Sequence, residues 1–214
     1  MSASVAHELN TPLAVLQGSV EKLRETVGDP ASQERLARMM RVTERLRTIS
    51  GNLLDFARVR TQQMELLVVH DLIEQAWGLV SIDEKAAGVD FRNDTPASDV
   101  VIGNQDRLVQ VFVNLLRNAL DAVKAGGCVR VECGRREGFV EIGVEDDGAG
   151  IPAEILPQVF EAFVTSRLDA RGTGLGLTVA EGIVQQHGGS IEAGNRPGGG
   201  ARIQVRLPAA GGGA

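Results

Sequence analysis

Leu9, Leu13, Leu16, Val20, Leu23 and Val27 recur at spacings of 4, 3, 4, 3 and 4. An apolar seam of this period predicts an amphipathic helix over residues 2–27 with a coiled-coil-like face. Gly28-Asp29-Pro30-Ala31-Ser32 then breaks it, with Ser32 as the expected N-cap of the next helix and Arg35 spoiling a capping box. A second stripe follows in Leu36, Met39, Thr43, Leu46, Ser50, Leu53 and Ala57, with Met40, Ile49 and Phe56 beside it. Two long helices and a short loop make a hairpin with too little core to stand alone. Pairing two hairpins into a four-helix bundle buries both stripes, so a homodimer through residues 1–62 is expected.

From about residue 65 the period changes. Residues 65–69 predict a strand and 72–86 a helix; 89–93 and 100–103 predict short strands, and 105–124 a long helix. Residues 129–133 and 139–145 predict a hairpin about Arg136-Glu137-Gly138. Residues 148–172 are too irregular for regular structure and read as a long functional loop. A helix over 178–187 and strands over 189–193 and 201–207 close the pattern. Helices alternating with strands in this way predict an α+β sandwich over 65–208, and the Gly/Ala tail 209–214 is expected to be disordered.

Composition changes the picture only in part. With 214 residues, 43% of them hydrophobic, the chain can build one or two cores. A net charge of −6 disfavours a nucleic-acid partner. Residues 1–60 carry 9 Lys/Arg against 7 Asp/Glu, and the remainder 13 against 21, which suggests two parts with different partners. Cys128 and Cys133 lie on one predicted strand with opposite facing, so no disulfide joins them, and no metal-ligand spacing is present. No apolar run reaches the roughly 20 residues of a membrane span. A cytoplasmic chain without membrane contact is expected.

Candidate chemistry falls in four places. In His7-Glu8-Leu9-Asn10-Thr11-Pro12, His7 sits one position off the seam and Thr11 one turn on, on the same face. Pro12 removes the hydrogen bond to the Glu8 carbonyl and loosens the helix beside the histidine. Asn114 and Asn118 share a helix face at i and i+4, and their carboxamide oxygens suit Mg²⁺. Glu145-Asp146-Asp147-Gly148-Ala149-Gly150 closes an apolar strand, where a carboxylate can accept from an exocyclic amine and glycines let a planar base approach. Gly172-Thr173-Gly174-Leu175-Gly176-Leu177 opens a helix whose N-terminus favours an anion. It is neither a Walker loop nor a Rossmann fingerprint. Phe160 and Phe163 are expected to anchor the long loop to the core, and Arg167 and Arg171 to face phosphate charge. Taken singly, His7 reads more readily as a surface histidine and the asparagine pair as a solvated polar face, while the other two also read as an acidic turn and a plain loop.

Taken together and in order, with Val159-Phe160-Glu161-Ala162-Phe163 between the last two, these motifs resemble the sensor histidine kinases of two-component systems over roughly residues 2–208. The resemblance implies a dimeric helical hairpin followed by an α/β sandwich of the Bergerat type. It implies that ATP and Mg²⁺ are bound and that His7 accepts the phosphoryl group, with Glu8 as its acid/base partner. Thr11 would orient a water that dephosphorylates a response regulator receiver domain, the expected partner. Asn118, assisted by Asn114, would hold Mg²⁺, and Asp147 would read the adenine amine. Gly148, Gly150, Gly172, Thr173, Gly174, Leu175 and Gly176 would shape the pocket and its lid.

Two positions depart from the family pattern: Asn10 where an arginine is common, and Asp121 where a basic residue is common. The second departure shifts the expected phosphate contacts to Arg167 and Arg171. The reactive segment stands so near residue 1 that a longer protein with a sensor region, membrane-anchored or not, is expected. Two other readings remain, a clamp ATPase sharing the same pocket and a non-catalytic scaffold that docks a regulator.

Overall fold

A computed structural model of the chain describes residues 2–57, 63–165 and 174–211, with the side chains of 2–11, 41, 44, 45 and 47–57 outside the description. The chain divides into two compact units, one built on the first two helices and one on the remaining elements.

In the first unit, α1 (Ser2–Thr26) contains Pro12, and α2 (Pro30–Ala57) follows after three residues. The N-cap of α2 is Asp29, not Ser32. Its Oδ2 accepts from the Ser32 backbone N–H at 2.9 Å, and Pro30 takes the first helical position, where its missing N–H is not needed. Hydrogen bonds from Ser32, side chain first and then backbone, hold the Asp29 carboxyl below its ordinary range. Gln33 reaches back to α1, its Nε2 donating to Arg24 O at 2.7 Å and Val27 O at 2.5 Å. These are carbonyls at a helix end with no partner inside the helix. Val20, Leu36 and Thr43 are buried, while Leu16, Leu23, Met39 and Leu46 stay about half exposed. The seam therefore splits into a face used within the hairpin and a face it leaves open.

The second unit is an α+β sandwich. Its main sheet has the order β2 (Asp90–Asn93), β4 (Cys128–Arg136), β5 (Phe139–Asp146), β7 (Ala201–Pro208), β6 (Ser190–Asn195), with only β2–β4 parallel. A smaller antiparallel pair joins β1 (Glu65–Val68) to β3 (Val100–Gly103). Helices α3 (Val69–Val80), α4 (Gln105–Ala122) and α5 (Gly176–Gln186) share one core with the main sheet. Strand alternation decides which side faces them. Along β7, Ala201, Ile203, Val205 and Leu207 are buried, while Arg202, Gln204 and Arg206 face the other way. That outer face is a charged ladder, with Arg202–Glu145 at 2.8 Å and Arg206–Glu141 at 3.2 Å. Among the described residues no helix is long and apolar enough to cross a membrane.

Three elements differ from the sequence expectation. The helix expected over 72–86 is two pieces, α3 and a 3-10 turn over Glu84–Gly88. Asp83 causes the break, because its side chain takes the Lys85 N–H at 3.0 Å in place of a helical partner. α5 starts two residues early, inside the glycine run. Ala209 and Ala210 are tied down: Ala209 bridges Val101, and Ala210 N–H donates to Val100 O at 2.8 Å. Residues 212–214 lie outside the description.

Candidate functional site

Along β5, Val140, Ile142, Val144 and Asp146 form the inward row. The last member of an apolar row is thus a carboxylate, only 5% exposed. Its Oδ1 accepts from Gly148 N–H at 2.9 Å and Ala201 N–H at 3.2 Å. Burial pushes the carboxyl above its ordinary range, against the lowering effect of those two N–H groups. Asp147, one residue on, is exposed, and its N–H closes the end of the β4–β5 pair on Cys128 O at 3.2 Å.

The loop passes tightly over this carboxylate. A side chain on Gly148 would overlap the Ala122 carbonyl at the end of α4, and one on Gly200 would overlap the Asp146 carbonyl. Gly200 also has φ 85°, so the β6–β7 turn needs glycine there twice over. Asn195 at the end of β6 holds the loop on its other side: Ile151 N–H donates to its Oδ1 and its Nδ2 donates to Ile151 O, both at 2.7 Å. Gly150, just before Ile151, has φ 76°.

α4 supplies a second wall. Leu108, Phe112, Leu115, Leu116, Ala119 and Leu120 turn to the core, which leaves Asn114, Asn118 and Asp121 half-buried on its shoulder. Asn114 Nδ2 donates to Gly176 O at 3.1 Å, tying this shoulder to the first residue of α5. Its amide orientation is thereby fixed with the oxygen as the remaining donor atom for a cation. Asp121 pairs with Lys85 of the 3-10 turn at 2.5 Å.

The other expected residues fall as follows. Phe160 packs against the core, and its carbonyl accepts from Thr178 Oγ1 at 2.8 Å. Phe163 does not anchor the loop: it has φ 70° and is 59% exposed, so the backbone turn carries its ring away from the core. Gly174 has φ 67°, and Leu175 is buried. Arg167, Arg171, Gly172 and Thr173 lie outside the described residues. His7, Glu8 and Thr11 lie on α1, and their side chains are outside the description. His187 is buried, with Nδ1 against Ile183 O at 2.7 Å and Nε2 accepting from Asn104 N–H at 3.1 Å. Both of its nitrogens are committed, which leaves no lone pair for a nucleophile.

The sequence offers Asp146 beside Asp147 in one motif and singles out none of Lys85, Asn195 and Arg196. For Asp146 the signal was present, since two-residue alternation from Val140 lands on 146 and not on 147. For the others no local signal exists, because their partners lie 36 to 50 residues away.

Residues 103–211 match the family of histidine kinase-, DNA gyrase B- and HSP90-like ATPases, and residues 1–62 match the His Kinase A (phospho-acceptor) domain. The chain is 34% identical over 213 residues to the signal transduction histidine-protein kinase AtoS of Escherichia coli (strain K12), covering 97% of this chain and 34% of AtoS. It is 34% identical over 213 residues to the sensor histidine kinase ZraS of Klebsiella oxytoca, covering 97% of this chain and 45% of ZraS. It therefore spans less than half the length of these relatives. Full-length ShkA in complex with AMPPNP shares the fold, with a TM-score of 0.72 at 23% identity over 98% of this chain and 45% of ShkA. Histidine kinase ThkA in complex with response regulator protein TrrA gives a TM-score of 0.70 at 25% identity over 98% of this chain and 61% of ThkA. With both domain families matched in order and the relatives aligned along nearly all of its length, the chain belongs to the sensor histidine kinases of two-component systems.

Proposed function

We propose that the chain is an ATP-dependent protein-histidine kinase core that phosphorylates its own His7 and passes the phosphoryl group to an aspartate of a response regulator receiver domain. The observation that carries this reading is the cradle at the end of β5, a buried carboxylate held by two backbone N–H groups under a loop that glycines bring close. Both of those bonds fall on Oδ1 of Asp146. Its Oδ2 is the atom we assign to the adenine amine, in place of the exposed Asp147. Gly148 and Gly150 let the loop close against Ala122 and Asn195, which holds it over the carboxylate where the base would lie. Asn118 and Asn114 offer the hard oxygens that suit Mg²⁺, which when bound would draw off phosphate charge. The N-terminus of α5 with Gly172, Thr173, Gly174, Leu175 and Gly176, and with Arg167 and Arg171, would hold the phosphates.

In the reaction a nitrogen of His7 attacks the γ-phosphorus in line. The bond to the bridging oxygen breaks, ADP leaves, and Glu8 takes the imidazole proton. Thr11 would orient the water that reverses the regulator's phosphorylation. Residues 1–62 serve as dimerisation and phosphotransfer hairpin and 65–208 as catalytic domain, with a second copy covering Leu16, Leu23, Met39 and Leu46. The two free cysteines fit a reducing, cytoplasmic setting.

Incubating the chain with ATP radiolabelled at the γ-phosphate tests the reading. Label that survives alkali and is lost in acid is expected. Phosphate release without such label would favour the clamp ATPase, and no turnover at all the scaffold.

A further inference from the structure

We propose that the β6–β7 turn, through Asn195 and Arg196, sets the pocket's selectivity for its base. The inference rests on the reading of Asp146 as the base-reading carboxylate. Neither residue is offered as a ligand contact; both act as positioning residues, from behind the wall.

Five contacts from this one turn converge on the cradle. Arg196 Nη1 donates to the Asp146 carbonyl at 3.0 Å, and its Nε lies 3.3 Å from Glu145 Oε2. One planar fork thus grips the last two residues of β5 together. Ala201 N–H holds the Asp146 side chain itself, at 3.2 Å. Asn195 takes both backbone groups of Ile151, which fixes the chain where the loop leaves the cradle. The fit is close, since a side chain on Gly150 would place its Cβ 2.8 Å from Asn195 Oδ1. The carboxylate and the loop over it therefore share one frame, and that frame is the turn.

Selectivity follows from this geometry. A carboxylate accepts from the exocyclic amine of adenine and repels the carbonyl oxygen that guanine carries at the equivalent position. Discrimination of this kind depends on a buried polar group held where the wrong partner leaves it unpaired. A carboxylate free to shift binds the right base less well and tolerates the wrong one better. Loosening the turn should therefore narrow the preference, whereas mere loss of stability leaves the ratio of affinities unchanged.

The test is calorimetric titration of the whole chain with ADP and with GDP, alongside thermal denaturation. Wild type, Asn195→Ala and Arg196→Lys are compared. The lysine variant keeps a charge beside Glu145 and loses the fork, so it reads geometry with the least risk to folding. Expected is an ADP preference in wild type that narrows about tenfold in both variants, mostly through weaker ADP binding. An unchanged ADP-to-GDP ratio overturns the proposal, even if the melting temperature or both affinities fall. Failure of wild type to bind ADP at all would instead overturn the nucleotide reading on which it rests.

Discussion

Lys85 Nζ lies 2.5 Å from Asp121 Oδ1, joining the 3-10 turn ahead of β2 to the last turn of α4. The pair sits on the same shoulder as Asn114 and Asn118, where an acidic side chain would otherwise repel a polyphosphate. Lys85→Ala should weaken ATP binding about two- to fivefold, a modest effect because the lysine is 40% exposed. Adding Asp121→Asn should recover most of the loss, and raised salt should shrink the difference. Identical dissociation constants for wild type and Lys85→Ala would remove the pair from the nucleotide site.

Asp146 predicts an unusual pH response. Its folded pKa is raised by burial, so the folded chain keeps this proton at a pH where the unfolded chain has lost it. Ionisation therefore costs stability at neutral pH, and the cost fades as pH falls through the folded pKa toward the ordinary carboxylate range. Asp146→Asn keeps an oxygen for Gly148 and Ala201 and cannot ionise. It should match or exceed wild-type stability at pH 7, lose that advantage on acidification, and bind ATP more weakly. Asp146→Ala leaves two N–H groups without their acceptor and should lose about 1–3 kcal/mol. Melting curves across pH decide this, and equal destabilisation by Asn and Ala at neutral pH would contradict it.

The two histidines separate chemistry from structure. His7→Gln should abolish alkali-stable labelling while ATP still binds. His187→Ala removes the acceptor for Asn104 N–H at the start of α4 and should cost about 1–3 kcal/mol while leaving His7 able to be labelled. Alkali-stable label persisting in His7→Gln would refute the assignment of the phosphoacceptor.

Thr11→Ala should leave phosphorylation of His7 intact and remove acceleration of regulator dephosphorylation, since alanine keeps the helix. The readout is decay of a phosphorylated receiver domain with each protein and ADP. Coincident curves, with wild type clearly faster than buffer, would move the role to another residue.

Most of the second unit was legible because its signals are local. The alternation of β5 and β7 and the paired left-handed turn at Glu137 (φ 52°) and Gly138 (φ 81°) need only neighbouring residues. The N-cap of α2 was misread although Asp-Pro announces one, since proline at the first helical position puts the cap at Asp29. The helix over 72–86 was overextended because apolar spacing carries no record of Asp83 competing for Lys85 N–H. At the end of β5 the facing of the strand points to Asp146, whereas the resemblance to the family places the adenine role on Asp147, and the two signals diverge by one residue. Lys85, Asn195 and Arg196 were not legible, since side chains that reach another segment leave no period.

Gln33 gives the hairpin bend a mechanical character. Gly28 has open space around it and by itself would act as a loose joint. The Gln33 carboxamide rivets the first turn of α2 to the carbonyls that end α1, and Asp29 fastens the same turn from its own side. The end of α1 and the start of α2 are thus braced to each other across the elbow, so a twist along α1 meets hydrogen bonds there and not a free swivel.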